Sequence, residues 1–220
     1  MKRVGLITIG QSPRTDIVPE IRQALGDGFE VIERGALNNL SKARIAALAP
    51  EAGDTDLVAK LTDGTTVVVG KAAIAPLLQH CLDEIDGFVD AAAVLCAGRF
   101  PELRCRVPLL EIDHILSGCA HAVSRNRQIG VLVPLASQVP SVEHRWRTQA
   151  FQVSTAVGSP YMAEEQLCQG ARHLRNADVD TVVLGCMGFT QSKKALVAEI
   201  VRVPVLLPST LLASFLREVT

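Results

Sequence analysis

Two copies of one pattern run through this chain. Setting Gly5 on Gly130 lays "RVGLITIGQS" over "QIGVLVPLAS" and brings Ser12 onto Ser137. Further on, "RVPLLEIDHILSG" (Arg106 to Gly118) lies over "RVPVLLPSTLLAS" (Arg202 to Ser214), with Arg, Val, Pro and two Leu in common. Between these anchors each copy has an apolar run that ends at a cysteine with glycine close by: "AAVLCAG" from Ala92 to Gly98, and "TVVLGCMGFT" from Thr181 to Thr190. Three matching segments in one order are the mark of a duplication, so the chain is expected to fold as two related halves.

The halves differ in length. Gly5 to Cys96 is 91 positions and Gly130 to Cys186 is 56. The first half therefore carries about 35 extra residues, room for one more strand–helix unit, placed between Asn38 and Gly70. Val4–Ile9, Thr65–Gly70, Ala91–Cys96, Ile129–Pro134, Gln152–Val157 and Thr181–Gly185 read as strands. "DIVPEIRQAL", "KAAIAPLLQHCLDEI", "SVEHRWRTQAF" and "MAEEQLCQGARHLRN" read as the helices between them, with Ile17, Ile21 and Leu25 on one face of the first. Alternation of this kind predicts an α/β fold. We expect two pseudo-symmetric Rossmann-like lobes with mostly parallel sheets facing a central cleft. The first lobe is expected over 1–117, with 206–220 packing back on it, and the second over 118–205.

Composition narrows the classes. Hydrophobic residues make up 48% of the 220 and aromatic residues only 4%, which suits aliphatic strands covered by helices. With 22 basic and 23 acidic residues the formal charge is −1, and no basic stripe supports a nucleic-acid partner. No apolar run is long enough for a membrane span, and the N-terminus has no signal-peptide pattern. Cysteines stand at 81, 96, 105, 119, 168 and 186, with no CxxC pair and no His spaced to complete a zinc site. These features predict a cytoplasmic protein with reduced thiols, no metal and no cofactor. Its expected partner is a small-molecule substrate or anion, and a homodimer is compatible with the sequence.

The two matched cysteines carry the chemistry. Strand C-termini of facing α/β lobes point toward the space between them, so Cys96 and Cys186 are expected on opposite sides of one cavity. A carbon acid beside a carbonyl can lose its proton to a base on one face and regain one from an acid on the other. Thiol and thiolate suit both roles. Gly98, Gly185 and Gly188 would let backbone N–H groups approach an oxyanion. Cys81, Cys105, Cys119 and Cys168 are read as packing residues, and the five histidines as peripheral.

The segments "VVLGCMGFT" and "VLCAG" resemble the aspartate/glutamate/hydantoin racemase superfamily, and "GLITIGQSPRTDIVPEI" resembles the AroM family within it, over essentially the whole chain. The resemblance implies a two-lobed, cofactor-independent racemase or isomerase with one cysteine per lobe, places filled here by Cys96 and Cys186. Ala97 and Gly98 follow the first where amino-acid racemases have Asn and a hydroxyl residue. Met187 and Gly188 follow the second in place of Thr-His. These departures point away from aspartate or glutamate as substrate, and "LGCMG" is closer to the hydantoin racemase version. They also motivate an alternative: an anion-binding or sensing protein on the same scaffold, without turnover.

The loop after the first strand, "GQSPRTD", is expected to hold an anion. With Asp16 as N-cap, Pro19 falls at the third helical position, and Gly10 to Thr15 precede a helix N-terminus. Arg14 would pair with a carboxylate, and Ser12 and Gln11 would donate to it. Ser137 and Gln138 hold the equivalent place in the second half, and Thr190 offers a hydroxyl beside Cys186. The expected substrate-binding set is Gly10, Gln11, Ser12, Arg14, Ala97, Gly98, Ser137, Met187, Gly188 and Thr190.

Overall fold

The computed structural model describes all 220 residues. The chain divides into two compact units, Met1–Ile112 with Leu212–Thr220, and Asp113–Leu211. In the first unit β1 (Lys2–Thr8) leads through α1 (Val18–Leu25) to β2 (Phe29–Gly35). Then come α2 (Lys42–Ala46), β3 (Asp56–Lys60), β4 (Thr66–Gly70), α3 (Lys71–Ile85), β5 (Ala91–Leu95) and β6 (Leu109–Glu111). α4 (Ile112–Val123) leads from the first unit into the second, followed by β7 (Gln128–Val133), α5 (Val139–Arg147), β8 (Gln152–Val157) and α6 (Glu164–Arg175). β9 (Thr181–Leu184), α7 (Gln191–Val201), β10 (Val205–Leu206) and α8 (Pro208–Val219) complete the chain.

Each unit has a four-stranded parallel sheet, ordered β2-β1-β5-β6 in the first and β8-β7-β9-β10 in the second. The order is the same when the copies are overlaid. The agreement extends to single hydrogen bonds. The Ala92 N–H donates to the Pro108 carbonyl at 2.9 Å, and the Val182 N–H donates to the Pro204 carbonyl at 2.8 Å. The matched "RVP" triplets thus do the same work twice, feeding β6 and β10 onto the sheets. β5 is buried at every position, as an apolar run flanked by strands on both sides requires.

The core of the first unit gathers Ile7, Leu37, Ile74, Leu78, Leu82, Val94 and Phe100; that of the second gathers Leu132, Leu167, Leu174, Val182, Leu184, Phe189 and Val197. α6 shows why these segments are helices: Leu167, Ala171 and Leu174 recur at helical spacing and are all buried, while Glu164, Glu165, Arg172 and Arg175 remain outside. No helix is long and apolar enough to cross a membrane.

The extra residues of the first unit correct one expectation. They form the five-residue α2 and an antiparallel hairpin of β3 and β4, in place of a further strand–helix unit in the parallel sheet. The reason lies in "TDGT". Gly64 takes φ +87°, and the Asp63 carboxylate accepts from the Thr65 N–H at 3.0 Å and its hydroxyl at 2.6 Å. Asp-Gly between short apolar runs closes a tight hairpin, which leaves no length for a helical crossover.

Four of the six cysteines are embedded or set aside from the strand ends. Burial first, and Glu84 second, push the Cys81 thiol up to about 11, against a small opposing pull from Arg34. Cys81 is therefore expected to resist iodoacetamide at pH 8 in the folded protein and to react once urea unfolds it. Peptide mass spectrometry reads the difference; modification of folded protein at Cys81 would contradict it. Burial also raises Cys105 and Cys119.

Candidate functional site

Cys96 directly follows β5, and Cys186 follows β9 by one residue. The different offset is only a matter of where each strand is taken to end. Gly5 of β1 is paired with Ala92, and Gly130 of β7 with Val182. Cys96 lies four residues beyond Ala92, and Cys186 four beyond Val182. Both cysteines therefore occupy one register position, at the C-terminal end of a central strand. Cys96 is 8% exposed and packs in the first core, whereas Cys186 is half-buried.

The turns after them also match. The Gly98 N–H donates to the Cys96 Sγ at 3.3 Å, and the Gly188 N–H donates to the Cys186 Sγ at 3.5 Å. A backbone N–H aimed at sulfur favours thiolate over thiol, since it stabilises the charged form. Ala97 is buried beside Cys96, as are Met187 and Phe189 after Cys186. Thr190 caps α7, its hydroxyl accepting from the Lys193 N–H at 3.5 Å and lying 2.9 Å from the Ser192 hydroxyl.

The loop after β1 is built for internal pairing. Arg14 is only 4% exposed, and its Nε and Nη2 each donate at 2.8 Å to the two Asp16 oxygens. Its Nη1 donates to the Thr8 hydroxyl at 3.0 Å. The guanidinium fork expected to receive an incoming carboxylate thus already holds that of Asp16. Asp16 is consequently not the N-cap. Ile17 takes that place without a side-chain cap, α1 begins at Val18, and Pro19 sits at its second position rather than its third.

Ser12 and Gln11 are likewise engaged. The Ser12 N–H donates to Asn38 Oδ1 at 2.9 Å, and Asn38 Nδ2 donates to the Ser12 hydroxyl at 2.8 Å. The Gln11 amide donates to the Leu37 carbonyl at 3.3 Å, while its Oε1 accepts from the Thr62 N–H and hydroxyl, both at 2.9 Å. Thr62 belongs to the hairpin turn, so the extra residues of the first unit are fastened onto this loop. In the second unit Ser137 lies exposed in a turn of 3₁₀ helix, Ala136–Gln138, and Gln138 Oε1 accepts from the Leu135 N–H at 3.3 Å.

Gly10 is the point of closest approach. A Cβ there would stand 2.1 Å from the Lys60 carbonyl oxygen and 2.9 Å from the Lys60 nitrogen. Those atoms are backbone and cannot swing aside. Gly10→Ala is therefore expected to push the hairpin off the loop, break the 2.9 Å bond from the Gln11 N–H to the Lys60 carbonyl, and destabilise the protein by about 2 kcal/mol. Urea denaturation checks this, and an unchanged midpoint would contradict it.

No group of three or more His, Cys, Asp or Glu side chains is arranged to hold a metal ion. Two features near the cysteines had escaped sequence reasoning. Leu57 of β3 packs beside Gly98, its Cδ2 3.6 Å from the place of a Cβ there. Tyr161, in the loop after β8, lies directly against Gly188. Neither has a signal near the cysteine motifs; only the tertiary path of the hairpin and of the loop brings them there.

The family model described as AroM protein matches residues 4–220. The chain belongs to the AroM family. Among solved structures, the fold of this AroM-family chain is similar to that of glutamate racemase from Aquifex pyrophilus, at TM-score 0.62 and 18% identity, covering 99% of this chain and 84% of that one. It is similar to allantoin racemase from Klebsiella pneumoniae at TM-score 0.63 and 14% identity, with 99% and 87% covered. An unliganded arylmalonate decarboxylase matches at TM-score 0.62 and 12% identity, with 99% and 91% covered. A search of curated proteins found no match. The fold is one that these racemases and this decarboxylase share.

Proposed function

We propose that this protein is a cofactor-independent racemase or isomerase acting on a small carboxylate- or carbonyl-bearing compound, with Cys96 and Cys186 as its acid and base. The observation that carries the reading is the shared register of the two cysteines, each with a glycine N–H directed at its sulfur. One thiolate takes the α-proton; the electron pair passes into the adjacent carbonyl to give an enolate-like species. The other thiol returns a proton to the same carbon, and the two sulfurs exchange protonation states over the cycle. Glutamate racemase, allantoin racemase and arylmalonate decarboxylase share the fold, which supports the class of reaction and leaves the substrate open.

Proton NMR in D2O over a panel of small α-carboxylates and hydantoins tests it. Deuterium incorporation at the α-carbon is expected with the wild-type chain and at background for Cys96→Ser and Cys186→Ser. Exchange that survives both single substitutions would overturn the reading.

One observation favours a second reading, an anion-binding or sensing protein without turnover. Ala97, Gly98, Met187 and Gly188 bring no polar side chain next to either sulfur. On that reading a panel compound raises the melting temperature equally in the wild type and in the Cys96→Ser/Cys186→Ser double variant, with no exchange in either.

A further inference from the structure

The second unit holds a side chain at its cysteine turn that the first lacks. A Cβ built on Gly188 would stand 2.2 Å from the Tyr161 phenol oxygen, 2.4 Å from its Cζ and 2.8 Å from its Cε1. Gly188 is not among the residues of positive φ, so its backbone would admit a side chain. The phenol ring occupies the place a side chain at 188 would take. At the matching Gly98 the atoms nearest a Cβ would be Cys96 Sγ at 3.4 Å and Leu57 and Phe100 carbons at 3.6 Å, all ordinary contacts.

Tyr161 is held in place by its own loop. The Gly158 N–H donates to the Val133 carbonyl at 2.9 Å as the chain leaves β8. The Tyr161 N–H donates to the Ser159 hydroxyl at 3.2 Å, and Ser159 is itself 5% exposed. Lys193 of α7 donates to the Pro160 carbonyl. The loop is thus tied to the sheet at one end and to the helix after Cys186 at the other.

We propose that Tyr161 is a positioning residue for Cys186: its ring, seated on Gly188, holds the turn in the shape that directs the Gly188 N–H at the sulfur. Its catalytic meaning rests on the two-cysteine reading. The geometry itself can be tested without substrate, so the two stand or fall separately.

The experiment is iodoacetamide alkylation of the full chain from pH 5 to 10, read at the Cys186 peptide by mass spectrometry. The midpoint of the pH profile reports ionisation, separately from the accessibility that sets the plateau. Tyr161→Phe keeps the ring and is expected to leave the midpoint where it is. Tyr161→Ala removes the seat and is expected to raise the midpoint by about one pH unit, since an N–H that no longer faces the sulfur no longer favours the thiolate. Gly188→Ala, which displaces the ring without deleting it, is expected to do the same, and this second variant serves if Tyr161→Ala does not fold. An unchanged midpoint in the folded variants overturns the proposal. So does a shift in Tyr161→Phe as large as in Tyr161→Ala, which would transfer the effect from ring to hydroxyl.

Discussion

Serine in place of either Cys96 or Cys186 is expected to lower deuterium incorporation at the substrate carbon by about 10²- to 10⁴-fold, the range that one positioned acid or base contributes. The change is close to isosteric, so the fold should persist; circular dichroism and the urea midpoint confirm that a loss is chemical. A hydroxyl fails because it does not ionise near neutral pH, whereas a thiol titrates within reach of it. The glycine N–H that faces each sulfur would then bond a neutral oxygen and stabilise no charge. A loss confined to one of the two variants would show that only one thiol touches the reacting carbon, and the paired assignment would fall.

Asp16→Asn carries the largest expected loss of stability. It puts a neutral amide in place of the carboxylate that the Arg14 guanidinium, 4% exposed, holds. Removing one partner from a buried pair destabilises strongly because the remaining charge is stranded. Asp16 is itself 29% exposed on its side chain, so water screens part of the effect. The expected loss is about 3 kcal/mol in urea denaturation at pH 7, at the lower end of the range for such pairs.

The same pair sets a pH dependence. Burial alone would push the Asp16 carboxyl up, but hydrogen bonds and charge from Arg14, with Lys60 adding, hold it below the ordinary value of 3.8. A group whose folded pKa is depressed stabilises the fold fully above its unfolded value and loses that contribution as pH falls through the folded one. The wild type should therefore lose the Asp16 contribution progressively below pH 3.8, and Asp16→Asn should lack that portion of the acid dependence. Equal acid sensitivity in the two proteins would contradict the assignment.

Much of this architecture was legible in the chain. Runs of Val, Leu and Ile named the central strands, because strands covered on both faces must be apolar throughout. The matched cysteines and "RVP" triplets fell in one register because both units pair their strands alike. Two further echoes were there to read. Val18-Pro19 and Val139-Pro140 each put proline in the first turn of the helix after the first strand. Val89-Asp90 and Val179-Asp180 each place a carboxylate that accepts a backbone N–H, from Arg3 at 2.7 Å and from Asn126 at 2.6 Å.

What escaped is equally physical. β2, "FEVIERG", is an edge strand with charged residues, and only Val31 and Gly35 are fully buried, so no continuous apolar run announces it. β3 is too short to separate from a loop until β4 pairs with it. The role of Arg14 turned on a residue two positions away: sequence shows a guanidinium and a carboxylate near each other but not that they close on one another. Tyr161 lies 25 residues before Cys186, and nothing local links them.

The hairpin and Tyr161 set the two units apart. Two identical units would give both sulfurs the same neighbours. Here each cysteine turn has a neighbour the other lacks, the aliphatic Leu57 beside Gly98 and a phenol upon Gly188. The two thiols should consequently answer one alkylating reagent at unlike rates.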